Sequence, residues 1–117
     1  MKILIKKDPR YPLNLKSLRL KAKEILTSFN FSQKTELSIN IIGKRKAKDL
    51  NVKYRKMDYI PEVLAFPMNE KRADGWFYLG DVVLCFPLVR DQAIKRNCMV
   101  EEIMFELLEH GLKNLTS

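Results

Sequence analysis

A chain of 117 residues, 46% hydrophobic and 31% charged, has the length and composition of one globular domain with a modest core. Four glycines and five prolines exclude a low-complexity chain, and two cysteines exclude a disulfide scaffold. The balance of 22 basic against 14 acidic residues leaves a formal charge of +8, a field that attracts polyanions, nucleic acid being the commonest.

The segment "KILIK" at 2–6 predicts a short strand, which two prolines in "DPRYP" then break. Asn14 is placed to cap a helix in which Leu18, Ala22, Ile25, Leu26 and Phe29 recur at helical spacing, with Lys16, Arg19 and Lys23 outside. "ELSINIIG" at 36–43 alternates Leu37, Ile39 and Ile41 and suits a strand. A second helix over roughly 44–56 should turn Ala47, Leu50 and Tyr54 inward. "EVLAFP" and "GDVVLCFP" predict two further strands, each stopped by a proline, with "MNEKRADGWFYL" as the loop between them and Asp74-Gly75 as its turn. Pro87 can begin a third helix through about Arg96, and Asn97 or Cys98 should open the last. The predicted order β-α-β-α-β-β-α-α implies an α/β (α+β) domain over 1–117 with a mixed β-sheet flanked by helices.

Cys85 and Cys98 fall in no C-x-x-C pair, so free thiols are expected. The first ten residues contain only three consecutive apolar side chains, too few for a signal-peptide core. The longest apolar run, "VVLCFPLV" at 82–89, is far short of a membrane span. The expected location is the cytoplasm, with no membrane partner.

Two stretches carry chemistry. "KRKAKDLNVKYRK" at 44–56 holds seven basic residues against one acid, Asp49. On a helix, Lys44, Lys48 and Arg55 fall within about 40° of one another, and Arg45 and Lys53 add charge nearby. This ridge is either a phosphate-binding surface or a solvated helix face, and charge alone does not decide between them. Arg55 stands on its inner edge, where a guanidinium can be held in place and grip phosphate. The last helix carries the only histidine, His110, on the border of an apolar arc of about 220°. Glu106 and Asn114 share its face, and a border position lets an imidazole face a cleft. Gly111 lies inside the arc and should let a neighbouring element approach closely. Taken alone, such a histidine is more often a packed or surface residue than a catalytic one.

Three segments in register, "LNVKYRKMDYIPEVLAFP" (50–67), "LGDVVLCFPLVRDQA" (79–93) and "ELLEHGLKNL" (106–115), resemble the YbeY family of bacterial rRNA maturation factors. The resemblance implies a mixed sheet flanked by helices and a metal-dependent endoribonuclease that processes ribosomal RNA and acts on the small ribosomal subunit. It further implies a zinc ion on three histidines, the first two at i and i+4 on the last helix, and an arginine lining the same cleft. By position the first ligand is His110 and the arginine is Arg55. The second ligand position is Asn114, and the third falls past Ser117, together with the family's C-terminal tail. The family element "TDVLSF" is here "PEVLAF", with Pro61, Glu62 and Ala65 at the changed positions.

A tight zinc site is therefore not expected, because such a site takes three or four protein ligands. RNA cleavage has another route, since the substrate carries its own nucleophile in the 2′-OH. An imidazole can move that proton, and a cation can stabilise charge developing at phosphorus. The leading expectation is a minimal YbeY-type endoribonuclease that needs no cofactor. His110 would be its acid or base, Arg55 with help from Lys48 its cation, and Asn114 a substrate-orienting group. Lys44, Arg45, Lys48, Lys53 and Arg55 would bind RNA. The alternatives are a non-catalytic rRNA-binding module and a divalent-metal-assisted hydrolase in which Glu102, Glu106 or Asn114 joins His110.

Overall fold

The computed structural model describes residues 1–117, in the order β1 (Lys2–Lys7), α1 (Leu15–Ser28), β2 (Thr35–Ile42), α2 (Lys44–Arg55), β3 (Val63–Lys71), β4 (Phe77–Cys85), α3 (Phe86–Lys95) and α4 (Val100–Thr116). The order and types are those the periodicities predict. The four strands form one mixed sheet in the order β1-β2-β4-β3, with β1, β2 and β4 parallel and β3 antiparallel at one edge.

Alternation along the central strands sends side chains to two faces. Leu37, Ile39 and Ile41 of β2, with Val82 and Leu84 of β4, meet Leu18, Ala22, Ile25 and Leu26 of α1 and Ile103, Met104, Leu108, Leu112 and Leu115 of α4 in the main core. The out-of-phase residues Ile42, Val83 and Cys85 join Leu64 and Ala47 in a smaller cluster under α2. Each fully buried leucine here stabilises the fold by about 1.5–3 kcal/mol through the water it leaves. The helix starts follow local chemistry: the Asn14 side chain accepts from the Ser17 N–H at 3.1 Å, and Pro87 stands in the first turn of α3.

Four expectations are corrected. Pro67 does not stop β3, which runs on to Lys71, while β4 begins at Phe77 rather than at Gly80. An edge strand needs only one side of its backbone for pairing, and the ladder steps over a register shift between Pro67 and Glu70, so the missing proline N–H is tolerated. The expected long loop is thus a hairpin whose turn lies at Arg72–Trp76, where Gly75 adopts φ +89° and the Asp74 side chain accepts from the Trp76 N–H at 3.0 Å. Tyr54 is not inward but 57% exposed, lying edge-on to Phe66, and Asn51 takes the buried place on α2. Finally, α4 starts at Val100, because Asn97 adopts a left-handed φ of +50° that ends α3 and cannot open a helix.

Candidate functional site

Where α4 crosses the sheet, Gly111 brings it close: a Cβ there would lie 2.8 Å from Val82 Cγ1 and 3.2 Å from Val63 Cγ2. This contact sets His110 and Asn114, one turn apart and both exposed, beside the start of β3. The opposite wall begins at the C-terminus of α2, which ends on Lys56 in the left-handed region. The returning chain is pinned by Asn51, fully buried, whose Nδ2 donates to the Tyr59 carbonyl at 3.0 Å. Arg55 Nη1 donates to Asn51 Oδ1 at 3.4 Å and to the Tyr59 hydroxyl oxygen at 3.3 Å. Both partners are neutral, so the guanidinium is held while its charge stays available to an anion.

Arg55, Tyr59, Glu62, Leu107, His110 and Asn114 line one open cleft of about 760 Å³, walled by residues 60–65. A second hollow of about 440 Å³ shares Glu62, Leu107 and His110 and continues to Gln92, Arg96 and Glu106. Glu62 is tied down twice at this junction. Its carbonyl accepts from the Cys85 N–H at 3.0 Å, and its Oε1 accepts from Gln92 Nε2 at 3.2 Å. Across the second hollow Arg96 clasps Glu106 with both ends, at 2.7 and 3.2 Å. The Arg96 guanidinium holds the Glu106 carboxyl below the usual carboxylate range, and the same pairing raises the arginine.

The structure thus brings Arg55, His110 and Asn114 together and leaves the rest of the basic ridge outside the cleft. Lys44 pairs with Asp91 at 4.0 Å, Lys48 pairs with Asp58 at 3.4 Å, and Lys53 lies 5.1 Å over the Tyr54 ring. Arg45 is exposed. Asp81, the acid of "LGDVVL", lies away from His110, accepting a hydrogen bond from the Tyr78 hydroxyl; burial, then that carboxylate, raises the phenol. Two residues of the site were not singled out from sequence. Asn51 was signalled by its spacing of four from both Ala47 and Arg55, which puts all three on one face. The meeting of Glu62 with His110 has no local signal.

Within residues 1–117 the donors at the site do not fit zinc. No group of three or more His, Cys, Asp or Glu converges to hold an ion. His110 has a neutral amide, Asn114, one turn on, and Glu106 is engaged by Arg96. No helix is long and apolar enough to cross a membrane.

The family model of endoribonuclease YbeY matches residues 5–116. Among curated proteins named endoribonuclease YbeY, that of Mycoplasma capricolum is 34% identical over 111 residues, covering 88% of this chain and 68% of the relative. That of Wigglesworthia glossinidia brevipalpis is 31% identical over 86 residues, covering 74% of this chain and 57% of the relative. The chain thus spans between about half and two thirds of the length of the first curated relatives it matches. A Thermotoga maritima protein solved in solution shares the fold, with a TM-score of 0.66 at 23% identity over 98% of this chain and 72% of that one. With the family model matching nearly the whole length of the chain, the chain belongs to the endoribonuclease YbeY family.

Proposed function

We propose that the chain is an endoribonuclease of ribosomal RNA processing, acting on RNA of the small ribosomal subunit, and that it cleaves through His110 and Arg55 without requiring a metal. The observation that supports this reading is the shared cleft: His110 and Asn114 from α4 face the same space as Arg55 from α2, and no carboxylate neutralises Arg55. In this mechanism Arg55 holds the non-bridging oxygens of the scissile phosphate and stabilises the charge that grows on them. His110 acts as acid or base at one of the reacting oxygens, and Asn114 orients the substrate through its amide. Lys44, Arg45, Lys48 and Lys53 gather the flanking backbone by the long-range field of the +8 chain.

The test is cleavage of ribosomal RNA in EDTA by the parent, His110→Ala and Arg55→Ala. The expected result is slow cleavage by the parent that falls about 10²–10⁴-fold with the loss of His110. A parent that binds RNA in a salt-sensitive way and never cuts it would make the chain a binding module. Cleavage abolished by EDTA and restored by Mn²⁺ or Zn²⁺ would make it a metal-assisted hydrolase.

A further inference from the structure

In an in-line displacement the attacking and leaving oxygens lie on opposite sides of phosphorus, so a metal-free reaction at His110 calls for a second proton-transfer group on the other side. The site contains three carboxylates, and two are already paired: Glu106 is clasped by Arg96, and Glu109 lies 3.9 Å from Lys113. Glu62 alone has no cationic partner; its one side-chain hydrogen bond comes from the neutral amide of Gln92. It is half-buried, rigidly placed by Pro61 before it and by the Cys85 N–H on its carbonyl, and it borders both hollows together with His110. Glu62 and His110 line both hollows and make no ion pair with each other, so neither is neutralised by the other.

We infer that Glu62 is the general base of this site and His110 its general acid, with the scissile phosphate of an RNA strand lying between them at the junction of the two hollows. This rests on the endoribonuclease reading above. The Glu62 carboxylate takes the proton of the 2′-OH, and the 2′-oxygen forms its bond to phosphorus. The bond from phosphorus to the 5′-oxygen breaks, and His110 gives that oxygen a proton. The products are a 2′,3′-cyclic phosphate and a free 5′-OH, and the two groups exchange protonation states once per turnover. The charged or titratable groups facing the pair are Arg55 and Tyr59 on one side, Arg96 just past the end of α3, and Glu106, Glu109 and Lys113 from α4. Of these, Arg55 alone is a cation without an acidic partner, and it lies where the phosphoryl oxygens would be.

The experiment follows cleavage of a short fluorescent RNA in EDTA across about pH 4–9, using the full chain and its Glu62→Gln, Glu62→Asp and His110→Ala variants, with circular dichroism as the folding control. For Glu62→Gln the expected result is a kcat lower by about 10²-fold, an unchanged KM, and loss of the rise in rate on the acidic side of the profile. Glu62→Asp keeps the carboxylate and should restore that limb with part of the rate. Phosphorus NMR should find the cyclic phosphate in the parent's product. If Glu62→Gln keeps both limbs, alters only KM, or if the product carries a 5′-phosphate, the assignment is overturned. Loss of activity in His110→Ala beside an unaffected Glu62→Gln would remove Glu62 and leave the endoribonuclease reading standing. A parent that does not cleave would remove both.

Discussion

Asn51 and Arg55 lie one helical turn apart on α2 and are joined by a hydrogen bond of 3.4 Å from the guanidinium to the buried amide oxygen. The other end of the same amide holds the Tyr59 carbonyl, so one buried side chain sets both the cation and the loop that faces it. Replacing Asn51 by Ala leaves that carbonyl without its partner and should cost about 1–3 kcal/mol in urea melts. Asn51→Asp should destabilise similarly and also place a carboxylate against the guanidinium, so RNA affinity in filter binding should fall further than stability alone explains.

Gly111 is where helix and sheet come closest. In Gly111→Ala the new methyl meets Val82 Cγ1 at 2.8 Å, and α4 has to lift from the strands. Overpacking of this kind should cost about 1–3 kcal/mol and lower the melting temperature. Val82→Ala opens space at that point, so the double variant should lose less than the sum of the two single losses. Strict additivity in calorimetry would show that the contact does not govern the docking of α4.

Lys48 belongs to the basic ridge but spends its charge on Asp58 at 3.4 Å, both side chains being largely in water. Asp58→Asn frees this lysine for phosphate. Affinity for RNA should rise a few-fold, and the dependence on salt should steepen by up to about one released counterion. Stability should barely move, since exposed pairs contribute little. An unchanged salt slope would remove Lys48 from the RNA surface.

Asp8 accepts from the Arg10 side chain and backbone N–H, and these bonds lower its pKa from the ordinary 3.8 to about 2. A carboxyl depressed in the folded state stabilises the fold above its ordinary pKa, and this contribution is lost as pH falls through the folded value. The stability difference between the parent and Arg10→Ala should therefore shrink between pH 3.8 and about 2. Carboxyl NMR should find Asp8 of that variant titrating nearer 3.8. Asp8 still titrating near 2 in Arg10→Ala would mean another group holds it there.

Most of the fold was legible in local pattern. The alternation of Leu37, Ile39 and Ile41, the helical recurrence of Leu18, Ala22, Ile25 and Leu26, and the capping position of Asn14 each follow from backbone geometry and from which side chains leave water. Proline misled at Pro67, because its cost depends on whether the strand is an edge, and that is a property of the sheet. Tyr54 misled for a related reason: α2 covers only part of its face of the sheet, so the large ring stays at the rim while the smaller Asn51 fits beneath.

The sequence by itself determined the eight elements and their order, the basic character of α2, and the placing of His110 and Asn114 on one helix face, because all of these are set by neighbours within a turn or a strand. Tertiary structure decided that Lys44 and Lys48 meet acids, that Arg55 meets none, and that Glu62 comes to border the same two hollows as His110. Those meetings join residues 10 to 48 positions apart through the chain reversal after α2, the docking of α3 and the strand order β1-β2-β4-β3. Electrostatic partnership falls steeply over a few ångströms, so only packing the elements against each other determines which charges are spent on the protein and which remain for a substrate.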